Sequence, residues 1–114
     1  PNVWLGTSIE NDRYTFRADH LRGTPAAVRF LSLEPLLGPL PSLNLGGIGW
    51  VIVGAESGRG ARPMDDGWVR EIRDACVDWG IPFFLKQRAV NGKKISLPEL
   101  DGRQWAQMPE PVGA

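Results

Sequence analysis

The stretch WVIVGAESGRGARPMDDGWVREIRDACVDWGIPFFLK, residues 50–86, decides the fold class. It opens with a wholly apolar run, Trp50 to Ala55, of the kind a strand buried on both faces requires. The glycine-rich loop ESGRGARP, Glu56 to Pro63, follows. Asp65 then stands where a helix N-cap belongs, Val69, Ile72, Cys76 and Trp79 recur at helical spacing, and Gly80 with Pro82 supplies the stop. A second apolar run, Pro82 to Leu85, ends at Lys86. Strand, loop, helix and strand in this order form a βαβ unit, whose two strands run parallel.

The pattern has a counterpart upstream. Val3 to Ile9 reads as a strand, and Asp12 to Leu21 reads as a helix offering Tyr14, Phe16, Ala18 and Leu21 for packing. Gly23-Thr24-Pro25 ends that helix, and Val28 to Leu33 is the second strand. Between Pro35 and Gly49, three prolines and four glycines predict an irregular crossover with at most a helical turn near Leu36 and Leu37. From Arg88 onward the chain is polar, with turn signals at Asn91-Gly92 and Asp101-Gly102 and a proline-rich end expected to fray. The expectation is an α/β fold: a parallel four-stranded sheet with helices packed on it, resembling half of a (β/α) barrel. Residues 1–87 form that core, and 88–114 form a polar, turn-rich C-terminal tail packed on the core or frayed.

At 114 residues the chain is one domain, too short for a complete (β/α)8 barrel. It opens Pro1-Asn2 without a methionine, as a piece of a longer protein does. Thirteen Lys and Arg against thirteen Asp and Glu give no electrostatic footprint for nucleic acid or an anionic membrane, so a nucleic-acid role would require a local patch. Apolar runs fall far short of the roughly 18 residues a spanning helix needs, and no leader opens the chain. Cys76, the single cysteine, excludes an internal disulfide, cannot by itself build a zinc or iron–sulfur site, and fits a reducing cytoplasm.

Each apolar run stops at a charge: Glu10, Glu34, Glu56 and Lys86. In parallel strands these gather along one rim, where α/β folds place their sites. Counting back by two places Ser8, Gly6 and Trp4 under Glu10, Ser32 and Phe30 under Glu34, Gly54 and Ile52 under Glu56, and Phe84 under Lys86. The opposite face carries Leu5, Ile9, Leu31, Leu33, Val51, Val53, Phe83 and Leu85. One face is thus greasy enough for helices, while the other is small and polar below the charges, with room for a pocket. Crowded carboxylates raise one another's pKa, which favours a cationic ligand, a metal or a substrate amine. The competing reading pairs the glutamates with Arg13, Arg29, Arg59 or Arg62, or uses them as helix caps.

The ESGRGARP loop invites an anion through its glycines, Arg59 and Arg62, but lacks both the Lys-Ser/Thr of a P-loop and the GxGxxG spacing. The signal is weak, and a plain strand-to-helix turn is the favoured reading. His20 has no nearby cysteine or serine partner and reads as a packing residue, and Cys76 reads as a structural thiol. Trp4, Trp50, Trp68 and Trp79 read as core or as faces toward missing parts, and Trp105 in DGRQW as a clamp on the tail.

PNVWLGTSIEN, TPAAVRFLSLEPLLGP, WVIVGAESGRGARPM, WVREIRDAC, PFFLKQ and LDGRQWAQMP, in that order, make the chain resemble the C-terminal half of a phage-associated protein family of unknown function. Full-length members carry an N-terminal cysteine cluster and look like radical S-adenosylmethionine proteins with a partial (β/α) barrel. The resemblance carries onto Glu10, Asn11, Glu34, Pro35, Gly54, Glu56, Ser57, Gly58, Arg62, Pro63, Lys86 and Gln87. It departs after Gln87, where members usually continue with Trp-Gly and this chain has Arg88-Ala89.

The resemblance implies the C-terminal part of a phage or prophage radical S-adenosylmethionine-like enzyme, inactive alone, whose partner is the missing N-terminal half. The ligand-binding candidates are Ser8, Glu10, Asn11, Ser32, Glu34, Gly54, Glu56, Ser57, Arg62, Lys86 and Gln87, with no catalytic residue assigned and no metal ligands. No cofactor is expected in this chain; S-adenosylmethionine and an iron–sulfur cluster belong to the full-length protein. A small-molecule substrate fits the rim, and an incomplete barrel is expected to self-associate. The alternative is a non-catalytic module that binds a phage or host partner on the same scaffold. A carboxylate-bound divalent-metal hydrolase is weaker, since no histidine accompanies the glutamates.

Overall fold

A computed structural model describes residues 3–110. Pro1-Asn2 and residues 111–114, part of the end expected to fray, lie outside the described residues. The elements in order are β1 (Trp4–Ser8), a 3-10 turn (Asp12–Tyr14), α1 (Phe16–Arg22), β2 (Val28–Leu33), β3 (Trp50–Gly54), α2 (Asp66–Trp79), β4 (Phe83–Val90), β5 (Lys93–Ser96), β6 (Glu99–Leu100) and β7 (Arg103–Gln104). Strands β1 to β5 form one sheet in sequence order, with β1 to β4 parallel and β5 antiparallel to β4. β6 and β7 form a separate two-stranded ribbon.

The expected four-stranded parallel sheet is therefore one strand short. β4 does not end at Leu85 but runs on to Val90, turns at Asn91-Gly92, and returns as β5. Both turn residues have left-handed φ, 52° and 78°, as a tight hairpin turn demands. All four β5 residues are exposed, so this edge strand hydrogen-bonds without burying side chains and leaves no apolar alternation to read.

Burial is one-sided. Ala18 and Leu21 of α1, Val69, Ile72 and Cys76 of α2, and Leu36, Leu40, Leu45 and Ile48 of the crossover all join one core with Ile9, Leu31, Leu33, Val51, Val53, Phe83 and Leu85. α2 starts where Asp65 accepts the Gly67 N–H at 2.6 Å and stops where the Gly80 N–H returns to the Cys76 and Val77 carbonyls. The first helix begins later than expected. Asn11 caps a 3-10 turn, and Asp12 leaves the helix to accept both the N–H and the hydroxyl of Ser42 at 2.8 Å, which ties down the crossover. Two expected packing residues stay outside. Phe16, at the first position of α1, lies edge-on to His20, and Trp79, at the last position of α2, is more than half exposed beside Gly46.

The C-terminal segment joins the same core. Leu100 and Trp105 are buried, and the Trp105 ring meets Phe83 with centroids 5.8 Å apart. The Trp105 carbonyl accepts the Leu85 N–H at 2.7 Å, and the Gln107 N–H donates to the Phe83 carbonyl, so residues 105–107 line the edge of β4 beside β5. Arg103 stacks 3.9 Å above the Trp105 ring, while Arg70 and Arg73 of α2 both pair with Asp101.

Trp105→Ala is expected to lower the unfolding free energy by about 3–5 kcal/mol in urea denaturation, the cost of emptying an aromatic core site; a loss under about 1 kcal/mol would detach the segment from the core. Cys76 is fully buried, and burial pushes its thiol up to about 12. It is expected to react with a thiol reagent at pH 8 only as the chain unfolds; prompt labelling of the native protein would contradict the packing.

Candidate ligand-binding rim

The rim is built where β2 leaves the sheet. The Leu36 N–H donates to the Gly54 carbonyl at 3.0 Å and the Leu37 N–H to the Glu10 carbonyl at 2.8 Å, so the segment after Glu34 is fastened to the ends of both neighbouring strands. The Glu34 carboxylate then crosses β3 and meets Lys86 Nζ on β4 at 3.3 Å. Gly54 permits the crossing: a Cβ there would lie 2.9 Å from both Cγ and Oε2 of Glu34. Lys86 shares the open face with Phe84 by simple alternation, and β4 carries an irregularity beside it. Val53 pairs with Leu85 but Gly54 pairs with Gln87, which leaves Lys86 as the extra residue. Ser32 donates a long 3.5 Å hydrogen bond to Glu34, and Ser8 stands opposite Ser32 in register. Lys86 is about half exposed, so the pair contributes under about 1 kcal/mol to stability and its charges remain available to a ligand.

Below this pair the same face is aromatic. Trp50 is the hub, with ring centroids 6.0 Å from Trp4, 5.8 Å from Phe30 and 6.1 Å from Phe84, mostly edge-to-face. The Phe30 ring occupies the space a side chain at Gly6 would need. The core residues of both helices lie on the other face, so this one is left open, and Trp4 is 39% exposed.

A family model described as "Protein of unknown function (DUF5131)" matches residues 1–109. The chain belongs to this family. No curated protein and no solved structure matches it.

In this DUF5131 member the remaining candidates do not converge on the pair. Glu10 bonds Arg17 at 3.3 Å, and Arg17 also donates to the Ser8 carbonyl and lies 4.4 Å above the Tyr14 ring. Glu56 takes the Arg62 backbone N–H and Nε at 2.9 Å each and Nη2 at 2.5 Å. Those bonds hold Glu56 far below its ordinary 4.5, at about 2. Asn11 serves its 3-10 turn, Ser57 is exposed in the loop, and Gln87 donates its side-chain amide to the Ala55 carbonyl at 2.7 Å. Ser8, Ser32, Glu34, Gly54 and Lys86 are therefore the candidates the fold brings together.

The expected crowding of three carboxylates does not occur. Each has its own cation, and the described residues contain no group of three or more His, Cys, Asp or Glu that could hold a metal ion. Local pairing accounts for Glu56 with Arg62; for Glu10 the partner is Arg17, seven residues on, which strand spacing gave no reason to choose. Arg88 pairs with Asp66 and ties β4 to the start of α2. An iron–sulfur cluster does not fit this chain's residues, because Cys76 is buried on the helix-covered side with its thiol held protonated. The carboxylate of Glu34 and the hydroxyl oxygens of Ser8 and Ser32 are acceptors that could hold an ammonium group.

Gly54→Val is expected to displace Glu34 and open its pair with Lys86, seen as loss of coupling between the two in a double-mutant cycle; unchanged coupling would mean that the carboxylate does not cross β3. Glu56, depressed in the folded state, contributes stability that is present above its unfolded pKa and lost as pH falls toward about 2. Carboxyl NMR is expected to show it titrating near 2 and rising toward 4.5 in Arg62→Ala; a native value near 4.5 would contradict the pairing.

Proposed function

We propose that this chain is the C-terminal part of a phage-associated, barrel-like enzyme of the radical S-adenosylmethionine type. In this reading the open sheet face, with Ser8, Ser32 and the Glu34–Lys86 pair above it, contacts cofactor or substrate. The observation that carries the reading is the one-sided cover: four parallel strands in sequence order with both helices on one face repeat the local geometry of a (β/α)-barrel wall. In such a wall the face away from the helices looks inward, and the strand C-terminal ends hold the site. Glu34 stands just past the end of β2, and Lys86 stands where the pairing of β4 with β3 ends. The iron–sulfur cluster comes from the cysteine-bearing N-terminal half, which is also the partner that covers Trp4, Phe30, Trp50 and Phe84. The buried free thiol suits a reducing cytoplasm, and no helix among the described residues is long and apolar enough to cross a membrane.

A second reading, a non-catalytic binding module, draws on the pairing of the glutamates, since a rim already neutralised by its own cations can dock a partner without reacting. The two separate in one experiment on the longer, cysteine-bearing protein reconstituted anaerobically with iron and sulfide. The enzyme reading expects cluster absorbance and S-adenosylmethionine cleavage, with Glu34→Gln or Lys86→Met weakening cofactor or substrate binding about tenfold while the cluster remains. A cysteine-bearing protein that binds neither cluster nor S-adenosylmethionine would overturn it, and partner binding that survives loss of Glu34 and Glu56 would favour the module.

A further inference from the structure

We propose that the cleft between the ESGRGARP loop and the β4–β5 hairpin binds a nucleotide through its phosphate, either free or as the end of a strand. The proposal is independent of the reading above and concerns a different place on the molecule. The cleft measures about 600 Å³, within the range of small-molecule sites. It adjoins a second hollow of about 530 Å³ that shares Ala61, Asn91 and Gly92 with it and opens between Arg59 and Lys93.

The charge here is not balanced as it is over the whole chain. Residues 86–94, KQRAVNGKK, carry four cations and no carboxylate, and residues 57–64, SGRGARPM, add two arginines and no carboxylate. Lys86, Arg62 and Arg88 are taken by Glu34, Glu56 and Asp66. Arg59, Lys93 and Lys94 have no acidic partner among the described residues and are exposed. A phosphate carries about two negative charges and accepts both the arginine fork and the lysine ammonium. Glu99 is the one carboxylate lining the larger cleft.

The two walls suit the two ends of a nucleotide. Met64, Val90, Ile95 and Pro98 present apolar surface to a base, with Val90 and Ile95 exposed, while Arg59 and Lys93 flank the open end. The backbone that carries the cations is fixed before any ligand arrives: the Gly58 N–H donates to the Gly92 carbonyl at 2.7 Å and clasps the loop tip to the hairpin tip. The clasp needs glycine at 92, since a Cβ there would stand 2.9 Å from the Gly58 carbonyl oxygen. A preset backbone lowers the ordering cost of binding, since only the side chains of Arg59 and Lys93 remain to settle on the phosphate.

Isothermal titration of the chain with a purine nucleoside monophosphate, inorganic phosphate and a short 5′-phosphorylated single strand tests the proposal. Nucleotide binding is expected, weakened about tenfold or more in the Arg59→Gln/Lys93→Gln variant, whose surface changes leave the circular dichroism spectrum unaltered. Gly92→Ala, which strains the clasp, is expected to weaken it in the same direction. An affinity for the strand more than tenfold above the monophosphate assigns the ligand to strand ends, and comparable affinities assign it to the free nucleotide. No heat with either nucleotide or strand, or an unchanged affinity in the folded double variant, would overturn the site. Inorganic phosphate binding as tightly as the monophosphate would overturn the role of the apolar wall and with it the nucleotide assignment.

Discussion

Parallel strands joined in sequence order by crossovers on one side bury one face of their sheet and leave the other bare. That constraint organises this molecule. The helical face gathers the buried residues of one largely aliphatic core, from Ile9 through Leu85 to Trp105. The remaining face is built from what the core could not use: aromatic rings at one end of the strands, and serines, glycines and an ion pair at the other. A sheet face of this kind, with Trp4 and Phe30 on it, is an apolar surface suited to a ligand or a covering segment.

The ion pair depends on the bare backbone of β3 as well as on charge. Glu34 follows β2 and Lys86 belongs to β4, and they would be kept apart by any side chain on β3 at position 54. Alternation along β4 presents Lys86 to the open face beside Phe84, next to the register shift opposite Gly54. Glu10 and Glu56, also at strand ends, fall instead to Arg17 of α1 and to Arg62 of the glycine-rich loop, so one rim of four charges resolves into one cross-strand pair and two pairs apart from it.

Much of this was legible in the amino-acid sequence because period-two alternation is a strong signal in buried strands. Counting by two from Glu34 put Leu31 and Leu33 against the helices and Ser32 on the open face, and the structure agrees. The Asp65 cap and the Gly80 stop of α2 were equally readable, because capping chemistry is local. What was not legible is non-local. KKIS carries no apolar alternation because an edge strand buries nothing, and the partner that buries Trp105, the ring of Phe83, lies across twenty-one intervening positions. The choice of Arg17 over nearer arginines for Glu10 required knowing how α1 sits beside β1.

The central claim, that one sheet face is core and the other is open for a ligand or a covering segment, is tested most directly by hydroxyl-radical footprinting of the dilute chain, read residue by residue by mass spectrometry. Trp4 and Phe30 are expected to oxidise readily while Phe83 and Trp105 are protected. Protection of Trp4 and Phe30 equal to that of Phe83 would contradict it.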